Sequence, residues 1–172
     1  MKITEMDAAD AISTLTYDHL ISDPPYDAMP DVATLRKYCP NGNIILFCDP
    51  LKRPNAQPDE ILYWIKSPST KNTTKRCSRF VEEIMVYRGK TAPFNNDLHW
   101  SVYTGVFTDT LIVPNGHPWQ KPVSLMEKLI RIYTNPGEVV LDPYAGSGAT
   151  LKAAEASGRV ALGTDIDVKW CV

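Results

Sequence analysis

Apolar runs broken by turn-forming residues set the frame of this chain. Asn43 to Cys48 (NIILFC) is continuously apolar after its first residue, the pattern of a strand buried on both faces. Val32 to Tyr38 has helical character, and Pro40, Asn41 and Gly42 break the chain between the two. Leu20 to Ser22 is a short strand ending in Asp23-Pro24-Pro25, which no strand or helix interior accepts, so the chain turns at that strand's carboxyl end. Strand, helix, strand predicts a parallel crossover. Ile3 to Met6 is a further short strand, separated from Leu20 by a polar stretch.

Beyond the proline-containing loop from Pro50 to Pro58, Ile61 to Ile65 and Val81 to Tyr87 are β-prone. From Gly89 to His117 nothing is strongly periodic, and a loop of that length suggests function. Val123 to Tyr133 is the clearest amphipathic helix: Val123, Met126, Leu129, Ile130 and Tyr133 recur at about 3.6-residue spacing, and Asn135-Pro136-Gly137 stops it. A strand over Glu138 to Leu141, a helix over Ala149 to Ala156, a C-cap at Gly158 and a strand over Val160 to Gly163 complete a β-loop-α-β order. The expected architecture is a mostly parallel α/β sheet of seven-stranded type with helices on both faces.

Composition narrows the classes. A chain of 172 residues fits one domain with one core. Apolar and charged shares of 44% and 22% are ordinary, and no run approaches the roughly eighteen apolar residues of a membrane span. The start MKITEMDAAD lacks a leader's apolar region, so a cytoplasmic protein without membrane contact is expected. Cys39, Cys48, Cys77 and Cys171 form no C-x-x-C pair and, like His19, His99 and His117, are scattered; they read as reduced thiols, with no metal site expected. A net charge of -2 argues against nucleic acid held over the whole surface but leaves room for a local basic patch.

Two stretches carry chemistry. Asp142-Pro143-Tyr144-Ala145-Gly146-Ser147-Gly148 follows a buried strand and opens a helix, where a glycine turn can bring its backbone close to a ligand. Asp165 ends the next strand, where a carboxylate can accept from two ribose hydroxyls. Together they suit a nucleoside-bearing cofactor; taken alone, the segment is also compatible with a tight turn with a helix-capping aspartate. The third glycine of a dinucleotide fingerprint is missing, which favours S-adenosylmethionine over a nicotinamide dinucleotide. The other stretch is Ser22-Asp23-Pro24-Pro25-Tyr26, whose parts suit a planar aromatic amine with a delocalised, poorly nucleophilic nitrogen. Asp23 and the Pro24 carbonyl can each accept one amino hydrogen, drawing the nitrogen toward sp³ geometry, while Tyr26 stacks on the ring. On its own the string is also compatible with a plain turn.

The order SDPPY (Ser22 to Tyr26), HPWQKP (His117 to Pro122), VVLDPYAGSGAT (Val139 to Thr150) and GTDID (Gly163 to Asp167) resembles the amino-group DNA methyltransferases in their circularly permuted, β-type arrangement. The D-P-P-Y form is similar to the adenine-N6 enzymes more than to the cytosine-N4 enzymes, which tend to begin with Ser. The resemblance implies a Rossmann-like S-adenosylmethionine-dependent fold: residues 1–65 form a catalytic half, 66–116 a target-recognition segment, and 117–172 a cofactor half. It implies that Asp23, Pro24, Pro25 and Tyr26 hold a flipped base, that Asp142, Tyr144, Ala145, Gly146, Ser147 and Gly148 surround the cofactor's methionine end, and that Asp165 and Ile166 meet its nucleoside. Lys121 and Pro122 would lie near the methionine, and Asp7 would reach the adenine ring. Trp119 stands where the family often has Thr or Ser, and Asp165 where Glu is more usual. The chain stops at Val172, where relatives continue into a helix covering the sheet, which implies weaker cofactor binding or solubility, or cover by a partner.

DNA is the expected partner. Lys66, Lys71, Lys75, Arg76, Arg79, Arg88 and Lys90 face only Glu82 and Glu83 in the stretch from 66 to 90, and Lys71, Lys75, Arg76 and Arg79 are the expected phosphate contacts; the alternative is a solvated loop. Phe94, His99, Trp100, Tyr103 and Phe107 suit base stacking or an edge of core equally. The small recognition region suits a short target or a homodimer reading two sites. A cytosine-N4 or RNA-base enzyme shares the catalytic geometry, whereas a non-catalytic nucleic-acid-binding subunit would show a damaged motif, and neither motif is damaged. A protein-glutamine methyltransferase would carry Asn at the position of Asp23.

Overall fold

The structure, a computed structural model, describes residues 2–66, 81–95, 105–109 and 120–170. They form, in chain order, β1 (Ile3–Glu5), α1 (Ala8–Thr14), β2 (His19–Ser22), α2 (Val32–Tyr38), β3 (Ile44–Cys48), β4 (Glu60–Ile65), β5 (Val81–Tyr87), β6 (Val106–Phe107), α3 (Val123–Tyr133), β7 (Val139–Asp142), α4 (Ala149–Ala156), β8 (Val160–Asp165) and a 3-10 turn (Val168–Trp170). One mixed sheet holds the described strands in the order β1-β8-β7-β2-β3-β5-β4-β6. Only β5 runs against the others, pairing antiparallel with β3 and β4.

The apolar run of β3 explains its central place. Ile45 and Phe47 enter a core cluster beneath α3 and α4, while Ile44, Leu46 and Cys48 enter a second one beneath α1 and α2. Period-two alternation thus buries both faces of one strand, and the sheet is covered by helices on each side. In α3, Leu125, Met126, Leu129, Ile130, Ile132 and Tyr133 are buried, a wider apolar stripe than the five positions read from spacing.

Several differences from the sequence reading have simple causes. Helix α1 stands where spacing predicts only a polar stretch; Asp7 caps it by accepting the Ala9 N–H at 2.8 Å, and Ala8, Ala11 and Ile12 are its buried face. Seven residues with two alanines among three contact positions give little periodic signal, and a helix that short depends on packing. Among the described residues the sheet has eight strands instead of seven because the two-residue β6 pairs parallel with β4. Strand β8 runs on to Asp165, since Gly163, Thr164 and Asp165 pair with Ile3, Thr4 and Glu5 of β1.

Chain direction reverses between β7 and β2. From β7 the chain passes through α4 to β8 on one side, and from β2 through α2 to β3 on the other, although β7 and β2 are parallel neighbours. The crevice at the carboxyl ends of these two strands is the topological switch point, where ligands bind in open α/β sheets. At the opposite, amino edge His19 ties three strands: its Nδ1 accepts the Asn43 N–H at 3.0 Å, which leaves the proton on Nε2 to meet Glu138 at 2.9 Å. Among the described residues no helix is long and apolar enough to cross a membrane.

Candidate active site

At the end of β7 the chain turns through residues 143–148 into α4. Gly146 (φ 49°) and Gly148 (φ 77°) are left-handed, a conformation that side chains other than glycine's resist. The loop is fixed by three bonds: Ala145 N–H to the Thr164 carbonyl at 2.9 Å, Gly146 N–H to Asp165 Oδ2 at 2.8 Å, and Gly148 N–H to the Ala145 carbonyl at 2.8 Å. Asp165 also accepts the Asp167 N–H through Oδ1 at 3.0 Å. The carboxylate expected to meet a ribose therefore organises the glycine loop, and its remaining lone pairs are what it can offer a ligand.

Asp142 joins this loop to the other motif. It is buried and accepts from Ser22 Oγ at 2.5 Å, Thr150 Oγ1 at 2.5 Å and the Tyr144 N–H at 3.1 Å. Burial pushes its carboxyl up to about 6 even though all three donors pull it down. The Ser22 bond crosses from β2 to β7, so the SDPPY turn and the glycine turn leave adjacent strand ends and face one crevice. In the SDPPY turn Pro24 is buried, Pro25 exposed and Tyr26 half-buried.

The Asp23 carboxylate meets Lys121 through one oxygen, and the Tyr26 phenol lies within hydrogen-bonding reach of the carboxylate. Its Oδ2 pairs with the Lys121 ammonium, while Oδ1 is buried and accepts no hydrogen bond among the described residues. Burial pushes Asp23 above the usual carboxylate range, Lys121 opposes this, and Glu82 adds to it. Tyr26 lies beside both carboxylates, and burial followed by their charges pushes its phenol far above its ordinary value.

Lys121 sits between two acids on an aromatic floor. Only 8% exposed, its ammonium reaches Asp23 on one side and Glu82 Oε2 at 3.2 Å on the other, 5.1 Å from the Phe47 ring centre and 5.8 Å from that of Trp64. Burial would lower its pKa, but Asp23 and then Glu82 outweigh that and raise it. Glu82 in turn pairs through Oε1 with Lys66, which rests 5.1 Å over Trp64. Burial of Glu82 is outweighed by Lys121 and Lys66, which hold its carboxyl below the usual range. The resemblance puts Lys121 near the methionine; here its charged end meets Asp23.

Of the remaining candidates, Asp7 caps α1 just beyond β1, and its charge raises the Tyr144 phenol after burial does, so the two lie close together at the same sheet edge. Ile166 is 73% exposed just past β8, and Pro122 is buried at the start of α3. Lys71, Lys75, Arg76 and Arg79, together with His99, Trp100, Tyr103 and Trp119, lie outside the described residues. Phe107 is core, and Phe94, partly buried, packs against that core 5.6 Å from the Tyr133 ring. Sequence reasoning misses Glu82 and Trp64. It sets Glu82 and Glu83 against a basic stretch as surface charges, yet both are buried, Glu83 in a two-bond pair with Arg53 at 2.6 Å. Two acids inside the otherwise apolar Val81–Tyr87 strand are the available signal.

Similarity to known proteins agrees with this geometry. A protein-family model described as DNA methylase matches residues 33–171. Over 55 residues, 32% of the chain, it is 46% identical to the DNA adenine methyltransferase YhdJ of Escherichia coli K12; over 119 residues, 64% of the chain, it is 29% identical to the type II methyltransferase M.HindIII of Haemophilus influenzae. The matches span 19% and 36% of the lengths of those relatives. A solved M1.HpyAVI-SAM complex is similar over 98% of this chain and 95% of its own, with TM-score 0.74 and 27% identity.

Proposed function

The chain belongs to the DNA methylase family, and on that premise we propose that it transfers a methyl group from S-adenosylmethionine to N6 of adenine in DNA, with the circularly permuted motif order and Asp23, Pro24, Pro25 and Tyr26 as the catalytic turn. The observation that carries this is the Ser22–Asp142 hydrogen bond between neighbouring strand ends, which turns two motifs 120 residues apart into one crevice.

The residues present fit the cofactor. The left-handed Gly146 and Gly148 carry no side chain into the loop, and the acids Asp7 and Asp165 border it as acceptors suited to a cationic, ribose-bearing ligand. Asp142, Tyr144, Ala145, Gly146, Ser147, Gly148 and Pro122 would hold its methionine end, with Asp7, Asp165 and Ile166 around the nucleoside. Lys121 pairs with Asp23. When bound, S-adenosylmethionine supplies a methyl carbon made electrophilic by its sulfonium.

This chain's own work is to make a poor nucleophile reactive. The target adenine leaves the duplex at a cost of about a few kcal/mol and stacks on Tyr26. Asp23 Oδ1, which Lys121 leaves unengaged, accepts one amino hydrogen once the base has entered beside Tyr26, and the Pro24 carbonyl accepts the other, so that the nitrogen lone pair leaves the ring. Positive charge growing on that nitrogen meets the Asp23 carboxylate, and the proton, acidic after transfer, departs to water. Pro24 and Pro25 fix the turn's backbone so that these acceptors need little reorganisation. In the domain reading, residues 66–116 recognise the target and the basic residues Lys71, Lys75, Arg76 and Arg79 grip its phosphates.

The D-P-P-Y form and the adenine specificity in YhdJ's name support N6 over cytosine N4. The test is nucleoside analysis by mass spectrometry after incubating DNA with labelled cofactor and either wild type or Asp23→Ala. N6-methyladenine from the wild type alone, with cofactor affinity kept in the variant, is expected. N4-methylcytosine as product refutes the assignment of the base, and an active Asp23→Ala refutes the mechanism.

A further inference from the structure

We propose that Glu82, on β5, is a positioning residue for methyl transfer: it holds the Lys121 ammonium to one oxygen of Asp23, leaving the other free for the target amine. The proposal rests on the reading of Asp23 as the amine's acceptor.

A buried ammonium with one carboxylate for company is free to move between the two oxygens, since each offers it a charge-assisted hydrogen bond. A lysine that bridges them consumes Oδ1. Here a second acid stands on the far side: Glu82 Oε2 lies 3.2 Å from Lys121 Nζ, and the lysine engages only Oδ2 of Asp23. With Lys66 on the outer oxygen of Glu82, the two carboxylates and two ammonium groups balance, so Glu82 acts on the direction of the lysine and not on the net charge. Lys66 anchors the outer oxygen of Glu82, and Phe47 and Trp64 wall the ammonium from water.

Stability does not explain the arrangement. Glu82 shares its β5 face with Ile84 and Val86, which belong to the core cluster under α3, so an apolar side chain would suit the sheet better. Replacing buried ion pairs by apolar residues is commonly neutral or stabilising. What the acid supplies that an apolar residue lacks is the direction of the lysine.

Two consequences separate positioning from structure. In Glu82→Gln the lysine is free to cover both oxygens of Asp23, so turnover falls while the binding of DNA and cofactor does not. The ammonium also loses one of its two anions. The groups facing it are then Asp23 and Tyr26 from the turn after β2, with Asp142 behind Asp23 and Lys66 from the end of β4. Against unchanged burial it sheds its proton at lower pH, and the alkaline limb of the rate profile moves down.

The experiment measures kcat, KM for DNA and cofactor affinity from about pH 6 to about pH 10 for wild type, Glu82→Gln, Glu82→Asp, Lys121→Met and the Glu82→Gln/Lys121→Met double variant. The expected result is a kcat loss of about tenfold or more in Glu82→Gln, with KM and cofactor affinity within about twofold and an earlier alkaline limb. The double variant should be no slower than Lys121→Met, because Glu82 acts only through the lysine. Glu82→Asp keeps the charge and serves even if Glu82→Gln does not fold; it should keep the wild-type limb with a reduced kcat. A wild-type kcat in either Glu82 variant, or losses that multiply in the double variant, overturns the proposal. A wild type that methylates no DNA, or an active Asp23→Ala, defeats the underlying reading instead.

Discussion

Replacing Asp142 by Asn is expected to remove a pH dependence of stability that the wild type carries. The carboxyl is only 3% exposed, and burial raises it from 3.8 to about 6 against the donors Ser22, Thr150 and the Tyr144 N–H. Between those two values the folded protein keeps a proton that the unfolded chain has released. Unfolding therefore releases a proton, and stability falls as pH rises through this window. A difference of about two pH units corresponds to about 3 kcal/mol, present below the unfolded value and lost as pH rises through about 6. An amide does not titrate, so the contribution of the Asp142→Asn side chain is flat with pH. Urea denaturation of both proteins at stepped pH, followed by tryptophan fluorescence, gives a difference in which every other group cancels. That difference should move by about 3 kcal/mol in favour of the Asp142→Asn variant between about pH 3.5 and about pH 7. Parallel curves would refute the assignment of the shift to burial. Ser22→Ala, which removes one of the donors, should carry the wild-type window to higher pH.

A Cβ at Gly42 would fall 1.6 Å from the Asp18 carbonyl oxygen, and Asp18 is bonded to Val139 through both backbone and side chain, so Gly42→Ala must disturb the β2–β7 register. A loss of about 3 kcal/mol, seen as a fall in Tm of roughly 6–12 °C, is expected by calorimetry, and an unchanged Tm would show that the turn yields freely. Joint substitution of Lys71, Lys75, Arg76 and Arg79 by Ala should weaken DNA binding and lower the slope of log affinity against log salt by up to about 4 in fluorescence anisotropy; an unchanged slope would move the phosphate contacts elsewhere.

Local sequence determined the parts whose cause is local. The run NIILFC can satisfy its apolar side chains only between two layers, and it lies at the middle of the sheet. The glycines at 146 and 148 permit a left-handed turn after a buried strand, and the turn is there. Two chemical motifs and their order were therefore readable, as was the crossover from β2 through α2 to β3. Short elements were not: α1 shows three apolar contacts and β6 only two residues, and each owes its existence to the neighbour it packs on.

What only tertiary structure decided is which charges meet. Glu82 counts against a basic stretch until the antiparallel pairing of β5 with β3 and β4 turns it inward toward Lys66 and the sequence-distant Lys121. Asp165 is an open acceptor until the glycine loop folds onto it. Electrostatic energy depends on distance and burial, and neither is a property of sequence spacing once strands from opposite ends of a chain lie side by side.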